Sequence, residues 1–101
     1  MTGGRQVAAC GPVTVELTGI TPPATFGRVS DALAALWESM QALPLGEYQF
    51  EAYRLYLTGE RAEEHVVERL RRQGESVVSF GLADGPHLLS IRLADPQGQR
   101  G

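Results

Sequence analysis

"EYQFEAYRLYL" (47–57) decides the fold of this chain, because it lies between the two stretches that read plainly as helix. Its first half alternates: Tyr48, Phe50 and Ala52 fall on one side, Glu47, Gln49 and Glu51 on the other, as in a half-buried strand. From Tyr53 the large residues change phase to Tyr53, Leu55 and Leu57. A bulge, or an end buried on both faces, accommodates that change. The aromatic content favours strand over helix, so 47–57 is expected to be a strand.

The preceding segment "FGRVSDALAALWESMQAL" (26–43) has helical periodicity. Phe26, Val29, Leu33, Leu36, Trp37, Met40 and Leu43 fall within a stripe of about 120°, with Arg28, Asp31 and Glu38 opposite. Pro22 and Pro23 suit a chain break and a helix start, while Pro44 and Gly46 end the pattern. The following segment "GERAEEHVVERLRRQG" (59–74) reads as a second helix. Acidic residues crowd its start and Arg71–Arg72 its end, each favourable to the helix dipole, and Gly74 stands at a left-handed C-cap position.

Beyond the helices, "PVTVELTGI" (12–20) alternates Val13, Val15 and Leu17 with Thr14, Glu16 and Thr18. "ESVVSFGL" (75–82) and "HLLSIRLA" (87–94) are strands joined by the turn signal "ADGP" (83–86). The expected order is β-α-β-α-β-β. Right-handed crossovers then give an α/β (α+β) two-layer sandwich, with two helices on one face of a four-stranded mixed sheet. A single α/β domain spans 12–95, between flexible tails at 1–11 and 96–101. In that fold the uncovered sheet face carries Tyr53, Leu55, Val77 and Leu88 among polar residues, a candidate protein contact or dimer seam.

Composition narrows the functional classes. The chain has 101 residues, 43% of them hydrophobic and 21% charged, within the globular range. Its net charge of −3 argues against nucleic-acid binding, which needs surplus cations against phosphates. Every basic residue is Arg, and Lys and Asn are absent, a bias that a GC-rich bacterial genome produces without any functional selection. The single cysteine, Cys10, excludes an internal disulfide framework and a multi-cysteine zinc site. No apolar run approaches the ~20 residues of a membrane span, and no signal peptide is evident. A soluble cytoplasmic protein is expected, with no membrane partner.

The candidate chemistry is sparse. His65 stacks between Arg61 and Arg69 at i−4 and i+4, with Arg72 on the same stripe, which repels a metal cation. Arg61, His65, Arg69 and Arg72 instead suggest docking of an anion or an acidic partner. His87 follows Asp84 by three residues, and the two can pair as base and orienter. No serine sits in a nucleophile elbow, and no phosphate-binding glycine motif is present. No catalytic residue, metal or cofactor is therefore assigned.

"GITPP" (19–23) and "LPLGE" (43–47) resemble the Gly-x-x-Cys-Pro-x-Pro turn and the Pro-Gly-Glu strand start of small bacterial sulfur-carrier proteins. The expected element order is similar to theirs, and to that of the C-terminal domain of a bacterial translation initiation factor. The resemblance implies a degenerate small-molecule or carrier site near Thr21–Pro23. Thr21 would stand where the family carries its persulfide cysteine. The leading expectation is different: a small non-enzymatic accessory module that binds another protein or a second copy of itself.

Overall fold

The computed structural model describes residues 11–94. Cys10 and the expected tails, apart from Gly11, lie outside the described residues. The elements are β1 (Val13–Leu17), β2 (Thr21–Phe26), α1 (Val29–Met40), α2 (Glu47–Thr58), α3 (Ala62–Gln73), β3 (Glu75–Leu82) and β4 (Gly85–Leu93). This is an α+β fold, with three helices between two pairs of strands.

The expected order is corrected at two places. The first is β2. Pro22 and Pro23 do not start a helix but lie in a strand that pairs antiparallel with β1, after a turn in which Ile20 N–H donates to the Leu17 carbonyl at 2.9 Å. Proline lacks the N–H a central strand needs, and β2 is an edge strand, where that lack is tolerated. Gly19, at φ 76°, supplies the left-handed residue of the turn.

The second is 47–57, which is helix α2. Phe50, Tyr53 and Leu57 fall on one side of it at i, i+3 and i+7, and Tyr53 and Leu57 are buried. Phe50 packs edge-on against Trp37 of α1 at 5.1 Å, and Tyr53 against Phe80 of β3 at 5.9 Å. These contacts override the strand preference of the aromatic residues. The strand alternation was produced by Tyr48, which points into solvent on the far side of the helix.

With 47–57 helical, the sheet needs no parallel crossover. It is antiparallel throughout, in the order β2-β1-β4-β3, rather than mixed. Register places Val13, Val15 and Leu17 opposite Leu93, Ile91 and Leu89, and Ser76 and Val78 opposite Ile91 and Leu89. This face is the buried one. It meets Val29, Leu33, Leu36 and Met40 of α1 and Val66, Val67 and Leu70 of α3 in a single core. The expected C-cap is observed: Gly74 adopts φ 81° and its N–H donates to the Leu70 carbonyl at 2.8 Å.

Candidate functional site

The opposite sheet face is built from the alternate residues of the same strands. Pairing sets Thr14 beside Thr25 and Arg92, Glu16 beside Ser90, Val77 beside Ser90, and Ser79 beside Leu88. Val77 and Leu88 are thus diagonal neighbours across β3 and β4. They are 39% and 42% exposed. Around them stand small polar groups and charges of both signs: Glu16, Glu75 and Arg92. The Thr14 and Thr25 hydroxyls hydrogen-bond at 2.9 Å, tying β2 to β1 on this face.

Two of the four residues expected on that face are elsewhere, because they belong to α2. Tyr53 is buried, and its hydroxyl donates to the Ser79 carbonyl at 2.6 Å. Burial pushes its phenol pKa up, aided by neighbouring Tyr56. Leu55 is 59% exposed on the outer side of the helix, where Tyr48, Ala52 and Leu55 follow one another at i, i+4 and i+7. Tyr48 is 93% exposed and was missed from the sequence. The i, i+4, i+7 spacing is its signal once the segment is read as helix.

α2 also covers the free edge of β3. Gln49 Nε2 donates to the Gly81 carbonyl at 2.8 Å, and Gly81 N–H donates to Gln49 Oε1 at 2.7 Å. Farther along, Tyr53 reaches Ser79, and Tyr56 and Ser76 share a hydroxyl hydrogen bond at 2.7 Å. An exposed edge strand presents unpaired backbone groups that recruit other strands. Here side chains of the helix engage Gly81 and the Ser79 carbonyl, so the end of this edge nearest Leu82 is covered.

On α3 the expected stripe is exposed, but its cations are not equivalent. Arg61 pairs with Glu64 at 2.7 Å and Arg72 with Glu68 at 3.5 Å. His65, Glu68, Arg69, Arg72 and Gln73 line a shallow cavity of about 400 Å³. Among the described residues, His65 and Arg69 have no side-chain hydrogen bond or ion pair.

The structure does bring His87 and Asp84 together. His87 Nε2 lies 2.8 Å from Asp84 Oδ1, and Nδ1 lies 2.7 Å from the Thr18 carbonyl. The ring stacks on Phe80 with centroids 5.6 Å apart. The Asp84 hydrogen bond, then the Thr18 carbonyl, hold the imidazole pKa above its ordinary value, and the ring in turn holds Asp84 below the usual carboxylate range. Both ring nitrogens are engaged, one by each turn, so the ring links the β1–β2 turn to the β3–β4 turn.

Thr21, Pro22 and Pro23 lie in edge strand β2, and Thr21 Oγ1 accepts a hydrogen bond from Leu17 N–H at 3.3 Å. "LPLGE" leads into α2 rather than into a strand, so the element order implied by the sulfur-carrier resemblance is not the one observed. Among the described residues, no three His, Cys, Asp or Glu side chains gather as metal ligands, and no helix is long and apolar enough to cross a membrane. No family model matches the chain, and neither a curated protein nor a solved structure matches it.

Proposed function

We propose that the protein is a small non-enzymatic interaction module that pairs with a second copy of itself through the uncovered sheet face. The observation that carries this reading is the Val77–Leu88 pair, left in solvent on a face whose backbone is fixed by three ladders. Apolar side chains held rigidly on a flat surface lose little entropy on contact, so their burial yields net attraction. The charges around them favour a like partner. A two-fold axis can bring Arg92 of one copy to Glu16 or Glu75 of the other, as self-complementary dimer faces require.

Size exclusion with light scattering tests this. Wild type is expected to be dimeric at high micromolar concentration and Leu88→Arg monomeric, with Leu55→Arg unchanged. A monomeric wild type refutes the reading. A dimer broken by Leu55→Arg but not by Leu88→Arg moves the seam to the outer face of α2.

A second reading rests on the α3 cavity. Arg69 and His65 offer unpaired donors beside Arg72, a setting suited to a carboxylate or phosphate on an acidic partner. Amide shifts on α3 during titration with an acidic peptide, abolished by Arg69→Glu, would support it. Unperturbed spectra would count against it.

A further inference from the structure

We propose that His87 is a proton-operated clamp: as the doubly protonated imidazolium it ties the β1–β2 turn to the β3–β4 turn, and loss of one proton releases one of the two. The argument begins with the partners. The Thr18 carbonyl can only accept a hydrogen bond, and so can the ionised Asp84 carboxylate. Nδ1 at 2.7 Å from the first and Nε2 at 2.8 Å from the second must then both carry hydrogen. A neutral ring has one N–H. If Nδ1 keeps it, the Nε2 lone pair faces a carboxylate; if Nε2 keeps it, the Nδ1 lone pair faces a carbonyl. Either way one contact turns repulsive and opens.

The surroundings make the ring a hinge point rather than a surface decoration. Its side chain is only 12% exposed, whereas Asp84 is 73% exposed. β3 presents Phe80 to the ring and the β1–β2 turn presents Gly19, where an added Cβ would lie 3.4 Å from the imidazole. Asp84 is the one charged group acting on the ring among the described residues. The clamp is continuous with the backbone link beside it, in which Thr18 N–H donates to the Leu88 carbonyl at 3.0 Å and Leu88 N–H donates to Thr18 Oγ1 at 2.8 Å. The Nε2–H bond to the Asp84 carboxylate has a charged acceptor and is the stronger of the two, so the neutral ring keeps that proton, the Thr18 contact is the one that opens, and the strand segment that carries Leu88 loosens with it.

The sign follows from the two partners. A raised imidazole pKa means the tie contributes fully below the ordinary histidine value of about 6.5 and is lost as pH rises through the raised folded value. The lowered Asp84 pKa sets the other limit: its contribution is present above the ordinary carboxylate value of about 3.9 and lost as pH falls through the depressed one. The clamp is closed between those limits.

Nitrogen-15 NMR of the His87 ring, with hydrogen-exchange protection factors for Thr18 and Leu88, tests the clamp across pH. Both His87 nitrogens should be protonated on the acid side, with a midpoint above about 6.5, and protection should fall through that same midpoint. Asp84→Asn should lower the midpoint and move the loss of protection with it. His87→Gln should make protection independent of pH. A ring that is singly protonated below about 6.5, a midpoint unmoved in Asp84→Asn, or protection that ignores the titration would each overturn the proposal.

Discussion

Gln49 meets the free edge of β3 with both ends of its amide, while Tyr53 and Tyr56 meet the same strand one and two helical turns farther on. Along a helix four residues rise about 6 Å, close to the two-residue repeat of a strand, so Gln49 and Tyr53 fall in step with Gly81 and Ser79. Tyr53→Phe keeps the ring contacts and removes one hydrogen bond to a backbone carbonyl. It should cost about 1 kcal/mol in urea unfolding. Gln49→Ala should cost a similar amount, but it should also leave the Gly81 edge open, seen as faster aggregation by static light scattering on mild heating. At the other end of the sheet, Asp84→Asn should lower the melting temperature most in mildly acidic buffer. The gap to wild type should close as pH rises past the raised His87 value, because the clamp of the wild type is then open as well.

The elements differ in how plainly the sequence announced them. α1, α3 and the β3–β4 hairpin were legible because each buries one side only, so periodicity and turn residues agree. α2 was not, since its large residues lie on both sides: Phe50, Tyr53 and Leu57 toward the core, Tyr48 and Leu55 toward solvent. A helix of that kind has no clean stripe, and its aromatics weigh locally toward strand. The spacing of Glu51 and Arg54, which form a 2.8 Å ion pair, was the overlooked helical signal. β2 was hidden by its two prolines, which only its position at the sheet edge permits. The candidate site inherited this division. Val77 and Leu88 stand on the uncovered side of the sheet, because alternation within the hairpin fixes their side. Tyr53 and Leu55 were misplaced with their element. The helix end that was read correctly makes its own prediction: Gly74→Ala forces a Cβ into the left-handed region at φ 81° and should destabilise the fold by about 1 kcal/mol, measured by chemical denaturation.

At the scale of the whole molecule, helices and prolines leave little backbone for new strands to pair with. Side chains of α2 engage the edge of β3 at Ser79 and Gly81, Pro22 and Pro23 interrupt that of β2, and the helices share the buried face. What stays uncovered is a sheet face of small polar and charged side chains around Val77 and Leu88, and self-association through it is the central claim. Amide chemical shifts followed during serial dilution from high to low micromolar concentration test it most directly. Val77, Ser79, Leu88, Ser90 and Arg92 should shift together along one binding curve, and Leu88→Arg should hold them at their dilute positions from the start. Shifts that do not change on dilution, or that change only on α2 or α3, would contradict it.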